Sequence, residues 1–134
     1  DTNQMRTLIA LVRGHIAKKD TVSAKTSGDL LLQSGPDIPP VNSVLTGIAR
    51  QLRDGLKADQ ALVIEAESKS AEELAKAREK VEQTKTALGD FLKQFSTRQQ
   101  LTLPELISIG DGASEVGNRE LATVTFQKVL KAAE

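Results

Sequence analysis

The chain has 134 residues, with 18 basic and 18 acidic side chains, one His and no Cys. That length suits one compact domain or a short repeat array. The neutral balance gives no electrostatic case for nucleic acid or an anionic membrane, and the lack of Cys removes disulfides, thiol catalysis and Cys-based zinc sites. Aromatics are only 2% of the chain, three Phe with no Trp or Tyr. The core must therefore be aliphatic and Ala-rich, which suits closely packed helices better than a deep ligand pocket with aromatic walls. The first residue is Asp1, and no basic, apolar and small-residue succession follows it. The chain is expected to be a piece of a longer protein or a processed form, and its compartment stays open. The longest apolar runs, Leu8–Val12 and Ala61–Ile64, are far too short to span a bilayer.

From Asn3 to Lys19, apolar residues at Met5, Leu8, Ile9, Leu11, Val12 and Ile16 have helical spacing. Asp20 or Thr21 can cap a second helix from Val22 to about Gln33, with Val22, Ala24, Leu30, Leu31 and Leu32 inward. Gly28 costs that helix about 1 kcal/mol relative to Ala, so a close-packing point is expected there. The stretch from Ser34 to Pro40 is the clearest break. Gly35 suits a left-handed cap, and Pro39 and Pro40 suggest an extended entry to the next element.

The spacing of Val41, Val44, Leu45, Ile48, Ala49, Leu52 and Leu56 predicts a third helix. It continues through Ala61, Leu62 and Ile64 to about Glu67, with Gly55–Asp59 as the place for a kink or an end. Ser70 and Glu73 have capping-box spacing. A fourth helix to about Phe95 carries the seam Leu74, Ala77, Val81, Thr84, Leu88, Phe91 and Phe95, close to a heptad. After a polar connection at 96–100, Thr102 and Glu105 form a second capping box. The fifth helix ends near Val116, Gly117-Asn118 turns the chain, and Arg119–Ala133 forms the sixth. The prediction is all-α: one domain, 1–134, of six helices in three antiparallel hairpins.

Leu106, the pair Ile109-Gly110, the turn Gly117, and the small and aromatic pair Ala122 and Phe126 are followed by Val129-Leu130. With these residues, Leu103–Glu134 resembles a tetratricopeptide repeat. Ala113 replaces the family's usual Tyr, and Glu134 its closing Pro. The unit at 5–38 resembles it more weakly, through Leu8, Leu11, Ala24, Leu31-Leu32 and Pro36. There Val12, Lys19 and Gly28 replace the Gly, the turn Gly and the aromatic. The middle unit, 41–97, is much longer: either one repeat with stretched helices or an inserted hairpin.

The resemblance implies a right-handed solenoid of helical hairpins with an extended central hairpin. It also implies a non-catalytic scaffold that binds a protein or peptide segment on a concave surface of first helices. Projected onto this sequence, that surface is Ile9, Arg13 and Ile16, then Ser43, Gly47 and Arg50, then Ile107, Asp111 and Ser114. The family's clamp for a terminal carboxylate is absent. Mixed Ile and Arg fit an amphipathic or extended segment instead. The equal alternative for these residues is packing against neighbouring repeats. Val124, Val129 and Ala132 are expected to be partly bare.

Enzymatic readings fare worse. His15 has no nucleophile set in the sequence. Gly110-Asp111-Gly112 lacks the third Gly of a dinucleotide fingerprint, since Glu115 stands there. Glu65, Glu67, Glu72, Glu73 and Glu79 alternate with Lys69, Lys76, Arg78 and Lys80, as on solvated helix faces. No enzyme activity, cofactor or metal is expected. The alternative function is a structural or oligomerisation module that pairs as a homo-oligomer through the long central hairpin.

Overall fold

The fold is that of a computed structural model, which describes residues 2–133, with side chains from Asn3 onward. The described residues form six helices and no strand: α1 Thr2–Ala17, α2 Thr21–Ser34, α3 Pro39–Ala66, α4 Ala71–Phe95, α5 Leu103–Glu115 and α6 Arg119–Ala132. The expected end of the last unit at Glu134 lies outside the described residues.

Four of the helices, α2, α4, α5 and α6, begin where the sequence supplies a side-chain cap. Asp20, Ser70 and Asn118 accept from the backbone N–H of Ser23, Glu73 and Leu121. Thr102 and Glu105 complete a reciprocal capping box. At Ser70 only half of the expected box forms, because the Glu73 side chain turns to Lys69 instead, Nζ–Oε2 3.9 Å.

The turns α1–α2 and α5–α6 are the same structure. Lys19 N–H donates to Ile16 O at 3.0 Å and Asp20 N–H to His15 O at 2.8 Å. Gly117 N–H donates to Ser114 O at 3.1 Å and Asn118 N–H to Ala113 O at 2.9 Å. Both are Schellman closures in which the last residue also caps the next helix. The motif needs a left-handed residue, and Lys19 (φ 58) and Gly117 (φ 78) supply it. Lys19 therefore adopts the conformation that Gly117 has in the last turn.

Four expectations need correction. Gly35 is extended, with φ −79, so it is not a left-handed cap. Pro39 and Pro40 are the first turn of α3, where a missing N–H costs nothing, and the extended residue is Ile38. Val22 and Leu30 are not inward; they are 78% and 52% exposed, because the buried stripe of α2 runs through Ala24, Gly28 and Leu31. Gly55–Asp59 does not end α3, which is one helix of 28 residues, about 42 Å at 1.5 Å per residue. Its far end is bare on one side: Leu62 and Ile64 are exposed, while Val63 still packs on the core and Ala66 is buried.

Within hairpins α1 packs on α2, α3 on α4 and α5 on α6. Between hairpins α3 touches α1 and α2, and α5 touches α3 and α4. One core results, centred on Leu45, Ile48, Leu88, Phe91, Leu92, Phe95 and Ile109. Phe91 and Phe95 stack at a tilt, with centroids 6.1 Å apart. The heptad-like seam of α4 is thus buried within the chain at Val81, Leu88, Phe91 and Phe95.

Burial repeats from hairpin to hairpin. Ala24, Gly28 and Leu31 of α2 correspond to Leu88, Leu92 and Phe95 of α4, and all six are buried. Leu45, Ile48 and Ala49 of α3 correspond to Ile109, Gly112 and Ala113 of α5, again all buried.

Candidate functional site

The first helices α1, α3 and α5 lie side by side, and their inward stripes fix which residues point away from the core. Arg13, Ser43, Arg50, Asp111 and Ser114 are exposed; Ile107 is 40% exposed; Ile9, Ile16 and Gly47 are half-buried.

These positions do not share a single cleft. Ile16 and Arg50 come together across the α1–α3 junction, in a cleft of about 490 Å³ that Lys19, Gly47, Gln51 and Asp54 also line. Its floor is close-packed: a methyl group on Gly47 would stand 3.1 Å from Ile16 Cδ1. Gln51 Nε2 donates to Ile16 O at 3.4 Å, while its buried Oε1 has no donor among the described residues. Ile9 lines a separate apolar cleft of about 450 Å³ with Met5, Arg6, Pro36, Ile38 and Pro40. Ser114 lines the outer side of α5 and α6, beside Ala122, Phe126 and Leu130. Arg13, Ile107 and Asp111 stand outside these clefts.

Charge at the α3–α5 junction is organised by Arg53. It binds Glu115 through two bonds, Nε to Oε2 at 3.1 Å and Nη2 to Oε1 at 2.7 Å. The Glu115 bond raises the Arg53 pKa against the cost of burial, helped by the charges of Glu115, Asp111 and Asp54. Arg53 in turn holds the Glu115 carboxyl below its usual range.

The residues weighed for chemistry are structural in their surroundings. His15 Nδ1 lies 3.8 Å from Asp20 Oδ2, but Asp20 is the cap of α2. Gly110 makes room for the Phe126 ring: a methyl group there would stand 2.7 Å from Cε1 and Cζ. Gly112 does the same for Leu92, at 2.7 Å from Cδ1. Glu65 and Glu73 both pair with Lys69, and Glu72 pairs with Lys76. Among the described residues no group of three or more His, Asp or Glu is placed to hold a metal, and no helix is long and apolar enough to cross a membrane.

Two features escaped the sequence. One is a cleft of about 410 Å³ among α2, α3 and α4, where Lys25 pairs with Asp29 at 2.9 Å and Thr84 donates to Asp59 at 2.6 Å. The other is a clasp between the two inter-hairpin linkers. Arg98 donates to Leu31 O at 2.8 Å, Gly35 O at 3.1 Å, Pro36 O at 2.7 Å and Asn42 Oδ1 at 3.2 Å. Fully buried Asn42 donates to Asp37 and to Gln100 O, and Asp37 accepts from the N–H groups of Gln99 and Gln100. Burial raises the Asp37 carboxyl, but Asn42, the two N–H groups and the Arg98 charge outweigh it and hold it low. Partners so far apart in sequence leave no local signal.

Comparison with protein-family models, curated proteins and solved structures gives no match to this chain.

Proposed function

We propose that the chain is a non-catalytic protein-binding scaffold of the tetratricopeptide type, holding a partner segment against its first-helix face. The observation that carries this reading is the cleft where Ile16 of α1 meets Arg50 of α3. Two adjacent hairpins there contribute corresponding positions to one surface. The same three first helices also carry Ile9, Arg13, Ile107, Asp111 and Ser114, a mix of apolar, charged and polar side chains. Such a surface suits an amphipathic or extended segment, with side-chain pockets for specificity and polar groups for register.

Two further points support the repeat reading. The first and last hairpins share a Schellman turn. Hairpins contact their neighbours in chain order. On this reading the chain binds no cofactor, metal or nucleic acid.

The test is selection from a displayed peptide library, followed by Arg13→Glu, Arg50→Glu and Asp111→Lys variants. Selected peptides should bind the wild-type chain and lose affinity at least tenfold on these variants, with unfolding midpoints unchanged. Peptides that bind all variants equally, or no selectable peptide at all, would remove the reading.

A further inference from the structure

Charge is balanced over the whole chain, 18 basic to 18 acidic side chains, but not along the first-helix face. From Thr2 to Lys19 stand Arg6, Arg13, Lys18 and Lys19 and no Asp or Glu. Across the junction, α3 adds Arg50. Elsewhere many cations are answered within the chain: Lys25, Arg53, Lys69, Lys76 and Lys85 each pair with a carboxylate. Arg6, Arg13, Lys19 and Arg50 are exposed, and none of these side chains makes a hydrogen bond or ion pair to another described residue. The acids of this region are engaged elsewhere. Asp54, Asp111 and Glu115 all act on Arg53, and Asp20 caps α2 beside His15.

These cations stand over apolar ground. In the cleft of about 450 Å³ near the start of α1, Arg6 lies with Met5, Ile9 and Ile38. In the cleft of about 490 Å³ near its end, Lys19 and Arg50 lie with Ile16 and Ala58, and Asp54 is the single acid among its lining residues. Ile9 and Ile16 are two helical turns apart, about 10 Å at 1.5 Å per residue, and Arg13 falls between them on the same side of α1. Two subsites of one make, an aliphatic floor beside a free cation, thus follow each other along α1. The stacking itself leaves this face open: Ser43 and Arg50 are exposed although α3 has a hairpin on either side. Over α5 the sign changes, with Asp111 and Ser114 exposed.

We infer that the segment held on this face is acidic where it crosses α1 and α3. Two apolar side chains about 10 Å apart enter the two clefts, and Asp or Glu residues next to them meet Arg6, Arg13, Lys19 and Arg50. The inference rests on the scaffold reading and adds the chemistry of the partner. Charge complementarity speeds encounter and fixes register, while the apolar contacts hold the complex. Neither cleft is lined by an aromatic ring on which bases could stack, which favours a peptide over single-stranded nucleic acid.

Peptides selected on the wild-type chain from a random displayed library should be enriched in Asp and Glu next to aliphatic residues. Synthetic copies should lose affinity about tenfold or more between ~0.05 and ~0.5 M NaCl. Selection on an Arg13→Glu, Arg50→Glu double variant should return Lys and Arg at those places instead. Both residues are exposed, so its unfolding midpoint should match wild type. Lys128→Glu, at an exposed site on α6, changes net charge in the same direction away from the face and should alter affinity by less than about twofold. The two readings fail separately. A library that yields no binder removes the scaffold and this inference together. Binders without acidic enrichment, affinity indifferent to salt, or no reversal on the double variant would remove this inference alone. So would an oligothymidine strand, or vesicles of phosphatidylserine and phosphatidylcholine, binding as tightly as the selected peptides, which would assign the cations to nucleic acid or membrane.

Discussion

Arg53 and Glu115 join the second hairpin to the third through a two-pronged pair, 2.7 and 3.1 Å, on side chains only 20% and 30% exposed. The planar guanidinium matches the carboxylate, and partial burial spares the pair much of the screening that weakens surface ion pairs. It fixes the register of α5 on α3, and with it the place of Asp111 and Ser114 relative to Arg50.

Glu115→Gln should cost about 1 kcal/mol at neutral pH in urea unfolding, with the slope unchanged. Its effect should also depend on pH in a defined direction. Arg53 holds the folded Glu115 carboxyl below its ordinary 4.5. The unfolded chain therefore binds more protons in the acid range, and the pair's contribution, complete above 4.5, is lost as pH falls through the folded value. The gap between wild type and variant should close in acid and stay constant from pH 6 to 8.

Arg98 should matter more than its place in a linker suggests. It is the shared donor to three carbonyl oxygens at the end of α2 and just beyond. Arg98→Met should destabilise the fold by about 2–3 kcal/mol, because partly buried acceptors lose a charged donor. Arg98→Lys should recover only part, since a point charge cannot span the fork. Thermal unfolding of the three proteins would check the order.

The two matching turns allow a test with opposite signs. Lys19→Gly should stabilise and Gly117→Lys should destabilise, each by about 1 kcal/mol, because a left-handed residue with a Cβ is strained and a glycine is not. Equal signs in chemical denaturation would show that the two turns do not share a conformation.

The close approach of Ile48 of α3 to Gly28 of α2 should appear as coupling. Gly28→Ala should destabilise by about 1 kcal/mol in the wild-type background, where the new methyl group meets Ile48 Cδ1. In an Ile48→Val background, which lacks that atom, the same change should be neutral or stabilising, since Ala is the better helix former.

The tip of the long hairpin offers a control for the alternative in which this element pairs with another chain. Leu62→Gln and Ile64→Gln should change stability by less than about 0.5 kcal/mol, as both side chains are exposed. They should leave any association intact. Loss of association on these substitutions would favour pairing through the hairpin instead.

Local signals were legible in the sequence wherever the physics is local. The caps at Asp20, Ser70 and Thr102, the turn at Gly117-Asn118, the break between Ser34 and Pro40 and the 3.6-residue stripe from Val41 to Leu56 each act within a few neighbouring residues. They determined six helices and nearly all their bounds. Gly28 and Gly110 could be read as close-packing points because a glycine inside a helix costs stability unless something needs the space.

What lies between helices was not legible. Val22 and Leu30 looked inward because their hydrophobicity is local, while the buried face of α2 is chosen by where α3 lies. The partners of Arg98, Asp37 and Asn42 stand on two linkers about sixty residues apart, and no local periodicity reports such a pair. The proposed surface divides the same way. Its residues followed from helix spacing, but only the tertiary structure put Ile16 beside Arg50 and sent Ile9 and Ser114 to other clefts. The chain alone sets which face each helix can bury; packing decides which neighbour covers that face, and which face stays open.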